Sequence, residues 1–317
     1  AGAHDHKYTR GVVGLWAGSQ TYPGAAVLTA SAAVRTGAGM ARLVAPARVA
    51  DLVLARRPEV VPADGRCQAL VIGPGTDPAD TARAAELSAT LDRARGDLAA
   101  AAPVSDPTTS GIPAVIDAGA LPLLAAKITS GGRFAPWHVL TPHAGEAAAL
   151  LAALGERSTR EDIEAAPAVA VRRLAELTGA TVLLKTTPTL IAAPGEVLVS
   201  VDSGPGWLAT AGSGDVLAGI IGALLAAAQA DAETGGTGLG GEAAARCAAL
   251  GVRLHAFAAA HAAGVVDTAA AAGQASGHPI AALDVAEAIP TTWERLWSVG
   301  RGPATGISGN SVCELSA

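Results

Sequence analysis

The chain has little of what several large protein classes require. Cysteine is sparse: Cys67, Cys247 and Cys313 lie far apart and no CxxC occurs. A zinc site built on thiolates is therefore excluded, and the odd, low count points to a reducing, cytoplasmic compartment. Charged residues make up only 16%, with 22 Lys+Arg against 28 Asp+Glu and a net charge of −6. A nucleic-acid binder needs a basic footprint to neutralise phosphates, and this balance argues against one. No run reaches the roughly 18 apolar residues that cross a bilayer, so no membrane span is expected. The longest candidate, Val216 to Ala230, falls about one turn short and reads as a buried helix. No signal pattern opens the chain. Its single methionine is Met40, so it is expected to begin after a removed segment. Only nine residues are aromatic. The motifs G-x-x-x-x-G-K-[ST] and G-x-S-x-G are both missing, and a Gly-X-Y period is absent as well.

Half of the 317 residues are hydrophobic, ample for a large core. Short β-branched runs alternate with longer Ala/Leu-rich segments. Strands are expected at Gly11–Ala17, Ala41–Ala45, Ala69–Ile72, Ala114–Ile116, His138–Leu140 and Thr181–Leu184. Several are apolar throughout, as strands covered on both faces are. Helices are expected at Gly24–Thr36, Ala47–Arg56, Pro78–Arg95, Gly145–Leu154, Arg160–Leu177, Ser213–Ala228 and Glu242–Ala262. This alternation predicts an α/β fold: a doubly wound, mostly parallel sheet with helices on both faces. Leu190–Ala193 and Val197–Val201, split by Pro194-Gly195, read as an added hairpin. One domain is expected from 7 to 297, after an N-terminal extension at 1–6 and before a tail at 298–317. Ala102–Gly111 and Asp231–Gly241 read as loops. The G-x-G-x-x-G at Gly236–Gly241 follows no strand and reads as linker.

In an open α/β sheet, ligands sit beyond the carboxyl ends of the strands. Five clusters fall there: Gly73-Pro74-Gly75, Asp117, Thr141-Pro142-His143, Lys185-Thr186, and Gly212-Ser213-Gly214-Asp215 at a helix start. If the strands are parallel, all five share one edge. Small residues let a backbone approach a ligand closely, and free amides at a helix start bind anions. A carboxylate there suits proton removal from a hydroxyl attacking a phosphoryl group; Asp215 as a plain N-terminal helix charge is the competing reading. Lys185 is one of three lysines, and Lys185-Thr186-Thr187-Pro188-Thr189 offers donors for a nucleotide phosphate. His143 suits ligand binding. Glu146 suits either steering a metal-bound water or half of a helix cap. Gly18–Ala26 and Arg35–Gly39 imply tight turns near a ligand, or plain turns and caps. His255 and His261 read as ordinary helix residues.

Taken in order, these segments resemble the ADP/ATP-dependent NAD(P)H-hydrate dehydratase family of the ribokinase-like superfamily. The likeness is carried by Lys7–Gly14, Ala17-Gly18-Ser19, Tyr22–Ala26, Arg35–Gly39, Gly73–Gly75, Thr141–Glu146, Leu184–Thr189 and Gly212–Gly219. It runs from about residue 7 to 290. The resemblance implies that (6S)-NAD(P)H hydrate and ADP give NAD(P)H, AMP and phosphate, with ATP as the alternative co-substrate. It implies Asp215 as general base, Gly212, Ser213 and Gly214 as an anion hole, and Lys185 through Thr189 with Gly214 holding the AMP part. Ala25, Gly75, His143 and Asp215 would line the hydrate site, and Glu146 would act near Mg²⁺. It further implies an epimerase partner, fused or separate, and a homo-oligomer, commonly a tetramer among relatives. Two positions depart from the family pattern. Thr186 stands where a Gly is usual, and Gly119 replaces the second carboxylate of Asp-Ala-Asp-Ala-Leu, leaving Asp117 either structural or near the metal. The competing functions are a small-molecule kinase of the hydroxyethylthiazole type and a non-catalytic nucleotide-binding protein.

Overall fold

Along each short apolar run, alternation sends neighbouring side chains to opposite faces of one sheet. The computed structural model describes residues 2, 4–77, 79–96, 111–265 and 277–300. Its strands are Val12–Trp16 (β1), Met40–Leu43 (β2), Ala69–Ile72 (β3), Ala114–Ile116 (β4), His138–Leu140 (β5), Thr181–Leu184 (β6), Thr189–Ala192 (β7) and Val199–Val201 (β8). They form one sheet in the order β2-β1-β3-β4-β5-β6-β7-β8. All pairings from β2 through β6 are parallel. The β6–β7 and β7–β8 pairings are antiparallel, which is the hairpin addition expected from Pro194-Gly195.

The helices are Pro23–Thr36 (α1), Ala47–Arg56 (α2), Thr81–Arg95 (α3), Ala120–Thr129 (α4), Ala144–Ala153 (α5), Arg160–Ala165 (α6), Pro167–Thr178 (α7), Ser213–Thr234 (α8), Gly241–Ala262 (α9) and Ala282–Gly300 (α10). On one face of the sheet, Trp16, Ile72, Ile116, Leu140 and Leu184 pack against α3, α4, α5 and α7. On the other, Leu15, Val71, Val115, Val139 and Leu183 pack against α1, α2, α8 and α9. The doubly wound architecture is thus as expected. Outside the second face, α10 adds a further layer through Val285, Ala286 and Ile289, against Ala32, Ile220 and Leu254.

Several boundaries differ from the sequence reading, each for a local reason. The expected helix Arg160–Leu177 is two helices, because Pro167 lacks an amide donor and starts α7. Helix α3 starts only at Thr81, where the Asp80 carboxylate accepts from the Arg83 amide. Helix α8 runs to Thr234, through the start of the expected loop Asp231–Gly241. At 22 residues it is long and apolar enough to cross a bilayer by length and composition, yet 61% of its most apolar stretch is buried inside the protein. Helices α4 and α10 were not anticipated, and α10 continues past 297 to Gly300. The loop expected at 102–110 and the tail from 301 onward lie outside the described residues.

Helix α8 approaches its neighbours very closely. A Cβ on Gly222 would collide with Val71 on β3, and one on Gly219 would collide with the Thr29 carbonyl of α1. The Gly222→Val substitution should therefore destabilise the fold by about 1–3 kcal/mol through overpacking. Denaturant unfolding would measure this, and an unchanged midpoint would refute the packing described.

Candidate active site

The parallel ladder continues one rung beyond the strands. Gly73 donates its amide to the Trp16 carbonyl, Asp117 to Ile72, Thr141 to Ile116 and Lys185 to Pro142. Asp117, Thr141 and Lys185 each follow a residue that faces the α3/α4/α5/α7 side. Pleating therefore turns all three toward the face covered by α8. Helix α8 begins at that same edge, and so the five clusters picked out in the sequence do share one end of the sheet.

The first turn of α8 is shaped by Gly212, whose φ of 86° places it in the left-handed region. A side chain there would also strike Leu28. The Gly214 and Asp215 amides open the helix with no helical carbonyl behind them, as an anion cradle requires. The Ser213 amide is engaged by the Thr210 carbonyl at 3.3 Å. Lys185 reaches in from β6, and a methyl added at Gly214 would lie 3.5 Å from its Nζ. The ammonium is held by Asp117 Oδ1 at 3.0 Å, with Glu146 Oε2 at 3.8 Å.

Charge at this mouth is unbalanced in a useful direction. Burial first, and then the Asp117 carboxylate, push the Asp215 carboxyl up to about 7, against the opposing pull of Lys185. A carboxylate poised there can accept a proton at neutral pH. Burial works against the Lys185 charge, but Asp117, Glu146 and Asp215 outweigh it and hold its pKa above the usual lysine value.

Two cavities flank the loop after β6. One, of about 510 Å³, is lined by His143, Ala144, Arg160, Glu164 and Pro167 with Lys185, Thr186 and Thr187. The other, of about 410 Å³, lies between that loop and α8, α9 and Ser203–Ala209, and Ser213 and Gly214 line it. Within the loop, Thr186 Oγ1 donates to the Pro188 carbonyl and Ser203 Oγ to the Thr186 carbonyl, both at 2.8 Å. Thr187 also lines the smaller cavity, and Pro188 does not. Thr189 is the first residue of β7; its hydroxyl meets the Thr186 carbonyl and Ser203 Oγ, so it braces the loop from within.

His143 caps α5: its Nδ1 accepts from the Gly145 and Glu146 amides, while Glu146 Oε2 accepts from the His143 amide at 2.9 Å. The capping role therefore holds for Glu146, and its place 3.8 Å from Lys185 still puts it at the site. Ala25 and Gly75 clasp each other on the far side of Asp117, for a Cβ on Gly75 would collide with that of Ala25. By contrast, Arg35–Gly39 lies at the opposite end of the sheet. Gly39 is required by the Lys7 carbonyl, and Arg10 donates to the Gly37 carbonyl at 2.9 Å. The glycines there serve a turn, at the end of the sheet away from the other clusters.

Sequence reading missed Ser203–Ala209 and His255. His255 lies in the wall of the smaller cavity, with its Nε2 buried and unpartnered. Burial, only partly offset by the Ser213 backbone, lowers its pKa to about 4, so the imidazole is neutral. The one available signal was its place on the buried stripe of α9 with Ala248, Val252 and Ala259.

The donor set also bears on Mg²⁺. Among the described residues no group of three or more His, Cys, Asp or Glu stands ready to cage a metal. Mg²⁺ keeps several waters and is held largely by substrate phosphates with one or two carboxylates, and Glu146 and Asp117 are the carboxylates beside Lys185 here. Glu146 fits the remaining task of steering such water.

The raised Asp215 carboxyl has a consequence for stability. A folded-state pKa above the unfolded one gives stability that is present below about 4 and lost as pH rises through about 7. Asp215→Asn should therefore raise the melting temperature over wild type at pH 8, and much less at pH 4. Equal shifts at both pH values would contradict the environment described.

Comparison with known proteins identifies the family. The NAD(P)H-hydrate dehydratase family profile matches residues 13–276. A bifunctional NAD(P)H-hydrate repair enzyme of Mycobacterium tuberculosis is 45% identical over 231 residues, covering 71% of this chain and 43% of that protein. The chain thus spans less than half the length of that relative. An ADP-dependent (S)-NAD(P)H-hydrate dehydratase of Neisseria meningitidis is 38% identical over 233 residues, covering 70% of this chain and 71% of that one. The crystal structure of a Bacillus subtilis ADP/ATP-dependent NAD(P)H-hydrate dehydratase, co-crystallised with ATP/Mg²⁺, superposes with a TM-score of 0.67 at 23% identity, covering 93% of each chain. It shares the fold. On its sequence and its architecture together, the chain belongs to the NAD(P)H-hydrate dehydratase family.

Proposed function

We propose that this chain dehydrates (6S)-NAD(P)H hydrate at the expense of ADP, releasing NAD(P)H, AMP and phosphate. The observation that carries this reading is a carboxyl group raised to about 7 at the mouth of an amide cradle, beside a lysine and a nucleotide-sized cavity. Asp215 accepts the proton of the hydrate hydroxyl as that oxygen attacks the terminal phosphorus of ADP, and AMP departs. The Gly212–Gly214 turn and Lys185 carry the charge that gathers on the transferred group. The hydroxyl, a poor leaving group, has become a phosphate ester. The ring nitrogen lone pair then expels inorganic phosphate, and loss of a proton from the adjacent carbon restores the reduced ring. Ala25, Gly75 and His143 line the hydrate side. Lys185, Thr186, Thr187 and Gly214 face the nucleotide side, with Pro188 and Thr189 shaping the loop. Bound Mg²⁺ would offset phosphate charge, with Glu146 acting on its water.

An epimerase partner and homo-oligomeric assembly belong to the same proposal; the bifunctional names of the longer relatives support a second activity alongside this one. A reducing, cytoplasmic setting is supported by the free thiols of Cys67 and Cys247. Burial pushes both up to about 11, so neither is a nucleophile.

Incubation with hydrated NADH, Mg²⁺ and ADP should restore the near-ultraviolet absorbance of NADH. No recovery with ADP or ATP would reject the function, and a stable phosphorylated product would indicate a kinase. Asp215→Asn should reduce turnover by about 100-fold or more while ADP still binds in calorimetry.

A further inference from the structure

The turn after β4 is built with more care than a connection needs. Ala118 sits at φ 46°, the only non-glycine residue with positive φ among the described residues. Such a conformation costs about 1 kcal/mol or more and persists only where its surroundings enforce it. Here they do. A Cβ on Gly73 would collide with the Asp117 carbonyl, and one on Gly119 would collide with Thr76 Oγ1. Thr76 is itself buried, its hydroxyl donating to the Gly73 carbonyl at 2.7 Å. The clasp also explains why no carboxylate stands at 119: Thr76 occupies the space. It leaves Asp117 aimed at the α8 face with its side chain only 4% exposed.

Lys185 is the one cation within 4 Å of that carboxylate among the described residues. The neighbouring Thr141 hydroxyl, turned to the same face, is buried and has no partner, so it does not share the work. Glu146, 24% exposed and 3.8 Å from the same ammonium, is a second and wetter partner on the other side. Lys185 thus stands between a deep anchor, which keeps it against Gly214, and a shallow one at the cap of α5.

We propose that Asp117 is a positioning residue for the nucleotide: it acts through Lys185, fixing the ammonium at the amide cradle of α8 and denying it to Glu146. This rests on the reading above for what Lys185 holds. Without the Asp117 charge, Lys185 pairs with Glu146 and leaves the cradle. The carboxylate itself touches neither substrate nor phosphate.

Two measurements test this. In calorimetry, Asp117→Asn should weaken ADP binding about tenfold in the wild-type background, with no further loss when Lys185→Met is already present. The same loss in both backgrounds would overturn the proposal. Asp117→Glu, which restores the charge, should recover part of the affinity. The second measurement needs neither nucleotide nor turnover. The chain has only three lysines, Lys7, Lys127 and Lys185, so acylation of each can be followed by mass spectrometry. Because the half-buried Glu146, at 3.8 Å, is a looser partner than Asp117 at 3.0 Å, Asp117→Asn should raise the labelling of Lys185 relative to Lys7 by about threefold or more. Unchanged labelling in a variant that melts like wild type would overturn the proposal, whatever the dehydratase assay gives. Raised labelling without turnover would reject the enzymatic function alone.

Discussion

The contact between α8 and the sheet is the constraint on which the rest depends. Gly222 lies directly on Val71 and Gly219 on the α1 backbone, so the helix axis sits closer to the strands than any side chain at those positions would allow. Gly251 lets α9 close on Ile221 of α8 in the same way. A helix seated this tightly cannot shift along the sheet without a steric clash. Its first turn is therefore fixed over the carboxyl ends of β4, β5 and β6, which bring Asp117, His143 and Lys185. A helix that by length and composition could cross a membrane is here the keystone of a folded interior, because its neighbours bury it.

That seating decides the electrostatics. Asp117, Glu146 and Asp215 meet a single lysine at the edge of the buried core. Lys185 lies on Asp117 and within reach of Glu146. Asp215 feels it only at longer range and is left with the raised pKa. Burial and the Asp117 carboxylate together raise the Asp215 carboxyl, and the backbone clasp behind Asp117 fixes where that carboxylate and its ammonium sit.

Much of this was legible in the sequence. The continuous apolar runs gave β3 to β6 at the bounds observed, because strands covered on both faces need apolar residues throughout. The clusters at the strand ends could be placed on one edge as soon as the strands were taken as parallel. Less legible were features whose cause is distant in the chain. Gly75 and Gly39 both sit in short glycine-rich motifs that look alike, yet Gly75 closes on Ala25 at the carboxyl edge of the sheet and Gly39 serves a turn at the other end. Only the partner atoms, Ala25 and the Lys7 carbonyl, distinguish them. His255 read as an ordinary helix residue because nothing near it in sequence says that α9 passes under the cradle.

By itself the sequence determined the fold class and put Asp215 and the other candidate clusters on one edge of the sheet, since these follow from periodicity, parallel pairing and glycine before a helix. The tertiary structure alone decided the raised pKa of Asp215, the partner of Lys185, the internal use of the Thr189 hydroxyl and the turn made by Arg35–Gly39. Those depend on burial and on distances of 3–4 Å between residues tens of positions apart, and no local pattern encodes them.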